Sequence, residues 1–574
     1  MRWSFAACLI AVGVTSAQAD ELTNPFRLIP KQADVALRIE PGKLVDAVRS
    51  LPKLAELAQF PSVREALDST NSRRFVKFVQ YYEKELGAPW PELLQKLAGG
   101  GIVVATKFAP DGDLPVLAVV QSRDAELLKR AVALVSKVAE QELKRNDSPL
   151  KPSIENYRDI QVTHYGDAYY AIAGSAFLIA NKEIAIQKAL DLHLNGAAES
   201  LANESGPADA AKLLDPNPLV SLWVNLKPAQ ESPQGKEAFR QPRSDIAQMI
   251  LAGGVLDVFG KAQFVAAGVY KTPDGFTTSV RLPAGRDATA NGLGLHLAPA
   301  DQAGSLPLLE PANVLYSSSF YLDLGALWNQ RETLLTESAR KQIDKAEKQV
   351  GRFLAGRKLS ELLTQSGPYH RFVVVAQTQP GYTKKPAQLF PAIAVASTMR
   401  DSGFGEAMNA ILRTVAFLTG TQAKLKLVEE TVDGVKLVGY RFPEDGTLPG
   451  DTQNLRFNAS PCFAIVGDQF FAASTIELGR EMIGVLKHSP PSAAPMTTLT
   501  AQSRAYAAGG AALAKIFEDQ QLTQTLLERA VSVDEARKEV EAGIEFLSGL
   551  GVLKLETDFR PHEFRFDIRW EAKK

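Results

Sequence analysis

Cysteine is almost missing from this chain: 574 residues contain 2, Cys8 and Cys462. Cys8 lies in the N-terminal apolar segment, so loss of that segment would leave one thiol and no internal disulfide. Cys462 sits in an apolar run at 461–466, and the expectation for it is a buried, inert thiol. Histidine is scarce too, with 6 residues at 164, 193, 296, 370, 488 and 562. They form no His-x₃-His pair and no His-Glu-x-x-His, and no carboxylates cluster at metal-ligand spacing. No metal site and no cofactor is expected. An excess of one charge is also lacking, with 64 Lys and Arg against 65 Asp and Glu. Nucleic-acid binding usually needs a strongly basic face, so no nucleic-acid partner is expected. Downstream of residue 14 no apolar run approaches the roughly twenty residues of a membrane-spanning helix, so no integral membrane segment is expected there.

What is present begins with a three-part N-terminus. Arg2 gives a positive start, residues 5–14 are apolar apart from Gly13, and Ala17-Gln18-Ala19 has the small-x-small pattern of a signal-peptidase site. Residues 1–19 read as a cleaved signal peptide and the chain as exported, periplasmic or extracellular. Cys8 precedes most of the apolar run, which argues against a lipoprotein signal. Without disulfides, the mature chain must be held by its own cores. Single cores rarely grow past about 250–300 residues, so two are expected.

The strongest signal is internal repetition. Residues 171–180 (AIAGSAFLIA) align with 464–473 (AIVGDQFFAA), five of the ten being identical. Both are two apolar runs split by Gly-Ser or Gly-Asp, the mark of a two-residue hairpin. Both then meet a capping residue, Asn181 in one and Ser474 or Thr475 in the other, and enter a helix. Further segments match in the same order: Ala33-Asp34-Val35 with Ala312-Asn313-Val314, 115–119 with 391–395, and 273–282 with 561–570. The unit is too long for a solenoid repeat. The reading is two tandem domains, 22–287 and 305–574, joined by a linker at 288–304 rich in Ala, Gly and Pro.

Within the first copy, strands are expected at 33–40, 101–108, 114–121, 159–165, 168–174, 176–181, 218–226, 262–271 and 275–282. Short turns join several of them, which requires antiparallel neighbours. Helices are expected at 43–57, 61–69, 73–97, 123–145 and 182–194, and in the second copy within 331–364 and 518–549. The fold class is therefore α+β: two similar tandem domains, each a mainly antiparallel sheet with helices packed on one face.

Candidate chemistry is thin. Ser148/Lys151 and Ser338/Lys341 have the Ser-x-x-Lys spacing of acyl-transfer nucleophiles. Pro149 and Pro152 oppose a helix through the first pair, and the second lies in a polar helix that should face solvent. Gly99-Gly100-Gly101 stands between a helix and a strand, the reverse of a phosphate loop, so helix termination is its expected role. Leu251-Ala252-Gly253-Gly254 reads as the same device. Asp111 and Asp113 belong to a solvated turn. Of Tyr169 and Tyr170, one should pack and one be exposed; Trp223, Trp328 and Trp570 read as core. No catalytic, cofactor-binding or metal-binding residue is assigned.

With these blocks laid out, the chain resembles a family of exported bacterial proteins known only as a domain of unknown function, present here in two tandem copies. The resemblance rests on the Pro-x-x-Ala-Asp-Val-Ala-Leu strand at 30–37 and on the Ala-Ile-x-Gly hairpins with their helices at 171–190 and 464–483. It implies an envelope location and a two-part α+β fold, and brings no catalytic residues. The function expected is that of a non-enzymatic exported envelope protein binding a protein partner or small ligand. The alternatives are a hydrolase with a site assembled from distant residues, and a structural or assembly component of the envelope.

Overall fold

Gly174 and Gly467 adopt φ of +62° and +60°, the left-handed region that costs glycine nothing. Across them Ala173 faces Ala176 and Val466 faces Gln469, closing the two expected hairpins. The computed structural model describes residues 24–573 apart from 58–59, 110–111, 113, 290–294, 355, 378–380, 424 and 446–447. The expected signal peptide and both aspartates of the 110–113 turn lie outside the described residues.

The chain forms two compact units. The first runs to Ser232 and resumes over Ala262–Pro283; the second takes Pro233–Lys261 and everything from Ala284 onward. Among the described residues the first unit has ten strands: β1 (Val35–Ile39), β2 (Ile102–Thr106), β3 (Val116–Gln121), β4 (Ser153–Tyr157), β5 (Ile160–Tyr165), β6 (Ala168–Ala173), β7 (Ala176–Ala180), β8 (Val220–Asn225), β9 (Phe264–Thr272) and β10 (Gly275–Leu282). They pair antiparallel in the order 4-5-6-7-3-2-1-8-9-10. The strand β4 was not expected: its residues are almost all exposed and carry no apolar alternation.

The described residues of the second unit also form ten strands: β11 (Val314–Tyr321), β12 (Ser366–Val375), β13 (Ala392–Met399), β14 (Lys426–Val432), β15 (Val435–Arg441), β16 (Cys462–Val466), β17 (Gln469–Ala473), β18 (Leu499–Tyr506), β19 (Val552–Phe559) and β20 (Phe564–Glu571). Their order, again antiparallel, is 14-15-16-17-13-12-11-18-19-20. Strand for strand, this is the pairing sequence of the first unit.

The placement of helices on one face is corrected by the structure: both faces are covered. In the first unit Val103, Ala105, Leu117, Val119 and Leu178 pack with Ile186, Ala189 and Leu190 of the 183–194 helix. The alternate residues Ile102, Val120 and Phe177 pack with Leu93, Leu94 and Leu97 of the 90–97 helix and Leu128 and Ala131 of the 125–145 helix. In the second unit Val373, Ala394, Ala464 and Phe471 meet Met482 and Ile483 of the 476–488 helix, while Val438, Phe463 and Phe470 meet Phe404, Ala407 and Ile411 of the 402–423 helix. The physical reason is visible in runs such as Ile102-Val103-Val104-Ala105: a strand buried on both sides is apolar at every position rather than at every second one.

Two further expectations change. Residues 288–304, read as a linker, are built into the second unit where described. Leu295 is 1% exposed and packs with Met249, Leu327, Leu334, Leu335 and Ala339. Gly253 and Gly254, read as a helix terminator, lie buried inside the Ile246–Lys261 helix. A Cβ on Gly253 would stand 3.0 Å from Met249 Sδ, so the glycine is kept by packing rather than by a turn.

Candidate functional site

The candidate site is a cleft in the first unit, where β1 begins and β2 and β8 end. The chain entering β1 is strapped to the stretch before the 205–213 helix: Lys31 N donates to Glu199 O at 2.9 Å, and Leu201 N donates to Ile29 O at 2.8 Å. Asp34 then ties three strand ends together. Its backbone N donates to Thr106 O at 2.9 Å and its carbonyl accepts from Asn225 N at 2.7 Å. Its buried carboxylate accepts from Phe108 N at 3.1 Å and Asn225 Nδ2 at 3.0 Å. One carboxylate oxygen thus holds the Phe108 backbone and the other the Asn225 side-chain amide, which is a structural task.

Around this knot lie two adjoining hollows that share Gln32, Ala33 and Lys107. One, of about 90 Å³, has an apolar floor of Ile29, Ala105, Leu117 and Ala185, with Ile184 and Lys188 of the 183–194 helix at its rim. Ile184 is 55% exposed. The other, of about 410 Å³, is lined by Lys31, Asp34, Glu204, Asn225, Gln263, Phe264 and Trp223. Lys31 pairs with Glu199 at 2.6 Å, and the hydrogen bond to that carboxylate raises the ammonium pKa.

Trp223 forms the wall of the larger hollow. Its ring packs against Ala210, Phe264 and Ala266. Gly206 makes this approach practicable, since a Cβ there would lie 3.1–3.3 Å from the indole. The indole Nε1–H is buried with no hydrogen-bond partner. A desolvated donor without an acceptor costs roughly 1–3 kcal/mol. Trp223 was expected as core; it is core on one side and cleft wall on the other. Nothing in the sequence joins residues 29–34, 105–107, 184–188, 201–206, 223–225 and 263–264.

In the second unit's connection corresponding to 107–115, at 376–391, Tyr382 and Gln377 are held by local contacts. Tyr382 is buried, its hydroxyl donates to Ala459 O at 2.8 Å, and its ring lies 4.9 Å from Phe457. Gln377 Nε2 donates to Phe390 O at 2.7 Å.

The residues singled out in the sequence are placed elsewhere. Ser148 accepts from Leu150 N at 3.3 Å in a non-helical stretch, and Lys341 pairs with Glu337 at 2.7 Å on an exposed helix face. Gly99-Gly100-Gly101 separates the 90–97 helix from β2, with Gly101 at φ +97°, as expected. Tyr169 and Tyr170 do point to opposite faces, but both pack, Tyr169 on one core and Tyr170 on the other. Cys462 is 3% exposed, and burial pushes its thiol up to about 12. A Cβ on Gly479 would stand 2.3 Å from its Sγ, so the thiol is sealed beneath the 476–488 helix. Asn181 is not a helix cap. Its side chain accepts from Val116 N at 2.7 Å and donates to Leu114 O at 2.9 Å, holding the start of β3. Ser474 does the same for β13, accepting from Ile393 N at 2.9 Å, while Thr475 caps its helix.

The histidines are dispersed. His370 is bridged to Ser397 Oγ at 2.8 Å and Leu322 O at 3.0 Å, and His296 to Ile250 O at 2.8 Å; burial lowers the pKa of both. No group of three or more His, Cys, Asp or Glu among the described residues could hold a metal ion. No described helix is long and apolar enough to cross a membrane.

No family model matches the chain, and no curated protein matches it. Among solved structures, crystal forms I and III of TP0453 align at 9% and 10% identity. Each alignment covers 47% of this chain and 81% of that one, with a TM-score of 0.23. Likeness at that level carries no argument about fold or function.

Proposed function

We propose that the protein is a non-enzymatic, exported envelope protein that binds a ligand in the first unit's cleft. The observation that carries this reading is the cleft itself: a hollow of about 410 Å³ walled by Trp223 and Phe264, adjoining a smaller one with an apolar floor. Pockets that combine an aromatic wall, apolar surface and a few polar groups suit small ligands. The polar residues there serve binding better than catalysis, because Asp34, the buried carboxylate, is spent on strand ends.

Two tandem copies of one α+β domain accompany this reading. The identical pairing order of the two sheets, the matching glycine hairpins, and the equivalent use of Asn181 and Ser474 support descent from one duplicated unit. The copies differ in the connection after their second strand, where the second unit buries Tyr382 against Phe457.

The test uses the chain from Asp20 onward and 1-anilinonaphthalene-8-sulfonate, an apolar ring system bearing one anion, as probe. Probe fluorescence should saturate, and the probe's affinity should fall in Trp223→Phe and weaken about tenfold in Lys107→Glu, about 1.4 kcal/mol. Lys107 is exposed, so that variant should fold normally. A signal indifferent to both substitutions would remove the cleft as the site. Export is checked separately by the intact mass of envelope-extracted protein, which should begin at Asp20.

A further inference from the structure

A second surface of the first unit lies apart from the cleft. The helices Pro61–Asp68 and Thr70–Leu86 form a hairpin. Ser69 Oγ accepts from Ser72 N at 3.3 Å, and Ser72 Oγ donates to Ala66 O at 2.8 Å, which fixes the turn between them. The far end of the second helix is rooted, with Phe78, Tyr82 and Leu86 in the core against the 90–97 and 125–145 helices. Its first turns are not packed in this way. Leu67, Phe75 and Val76 are 56%, 57% and 51% exposed. Bracketing Phe75 and Val76 are Arg73, Arg74 and Lys77, all exposed. Among the described residues only Arg73 of these three approaches a carboxylate, Asp68 at 3.7 Å.

The molecule contains its own comparison. Between β11 and β12 the second unit has helices at 337–350 and 359–365 in the same chain position. The one large apolar side chain marked as exposed among the described residues there is Phe353, at 38%. The apolar tip therefore has no counterpart in this connection of the second unit, and it coincides with cations in a chain whose overall charge is close to neutral.

We infer that the 61–77 hairpin tip docks the protein on an anionic lipid bilayer. Leu67, Phe75 and Val76 enter the region between headgroups and acyl chains, while Arg73, Arg74 and Lys77 meet the headgroup phosphates. Basic residues interleaved with bulky apolar ones are what an interfacial helix requires, and neither set alone gives firm attachment. The charge selects anionic lipid over neutral lipid, because zwitterionic headgroups offer no net field.

Cosedimentation of the chain from Asp20 onward with vesicles tests this. Vesicles of phosphatidylcholine with about one third phosphatidylglycerol should retain the protein, and pure phosphatidylcholine vesicles should retain at least about tenfold less. Salt at about 0.5 M should release much of it, since the screening length falls to a few ångströms. Phe75→Ser with Val76→Ser, and separately Arg74→Glu with Lys77→Glu, should each weaken binding about tenfold or more. All four side chains are exposed, so melting temperature should hold within a few degrees and separate loss of docking from loss of fold. The inference fails if phosphatidylglycerol vesicles leave the wild-type chain in solution, or if the variants bind as it does. It also fails if the chain is a dimer in solution that the Phe75/Val76 variant splits, because a second copy would then cover the tip. Probe binding at Trp223 should be unchanged in both variants, so this surface and the cleft stand or fall separately.

Discussion

Asp257→Ala should be among the most damaging single substitutions in the second unit. Its partner is Arg243, and the two side chains are 4% and 2% exposed with Nη2 and Oδ1 2.5 Å apart. Gln241 Nε2 donates to the same oxygen at 2.5 Å. Arg243 Nη1 also donates to Ala238 O at 2.9 Å and Nη2 to Gly253 O at 3.3 Å, but its buried Nε has no partner. Removing the carboxylate leaves a guanidinium in a dry interior with only carbonyl dipoles, a situation that costs about 3–5 kcal/mol. Burial is so complete that solvent screening gives little relief. At roughly 2 °C per kcal/mol for a unit of this size, the second unit's transition should fall by about 6–10 °C in a calorimetric melt. Arg243→Met should cost a similar amount by stranding the carboxylate. The double variant Arg243→Met/Asp257→Leu removes both charges at similar volume, and should lie within about 1–2 kcal/mol of wild type or above it. Calorimetry on wild type, Asp257→Leu, Arg243→Met and the double variant closes the cycle. A loss below about 2 °C for Asp257→Ala, or a double variant as unstable as the two singles added together, would refute the reasoning.

Two other outcomes follow from the same physics. Burial holds His370 and His296 below the usual histidine pKa, so the unfolded chain takes up their protons first. Their contribution is complete above about pH 6.5 and is lost as pH falls toward their lowered folded values, so the melting temperature should drop between about pH 7 and 5. His370→Gln should flatten that slope; an unchanged slope in that variant and in His296→Gln would contradict the assignment. Cys462, with its thiol pushed up to about 12, should ignore a maleimide in the native chain at pH 8 and react fully in denaturant. Rapid labelling without unfolding would show that the thiol is not sealed.

Elements whose signal is local were legible in the sequence. The 125–145 helix is capped by Asp124, which accepts from Leu127 N at 2.9 Å, and its apolar stripe faces the core as periodicity requires. The glycine hairpins depend on one residue type at one φ, and they too could be read directly. Elements fixed by tertiary contact were not. The strand β4 exists because β5 offers it a ladder, not because Ser153-Ile154-Glu155-Asn156-Tyr157 has a strand pattern. The 246–261 helix was masked by Gly253-Gly254, a pair that ends helices in water but is tolerated where neighbours press close. The cleft was illegible because it gathers six short stretches spread over more than two hundred residues. Its one signal, a tryptophan, is the same letter in a core and in a wall.

The assignment of Pro233–Lys261 to the second unit has a consequence for how the molecule can be taken apart. The backbone leaves the first body, donates a helix to the second, and returns to lay down β9 and β10 before leaving for good. A single scission near residue 287 therefore yields no two self-sufficient halves. The C-terminal fragment would lack Met249, Arg243 and Asp257, leaving Leu295, Leu335 and His296 facing an empty berth. Nor can synthesis finish one body before starting the other: the ribosome delivers a piece of the second while the first still waits for its last two strands.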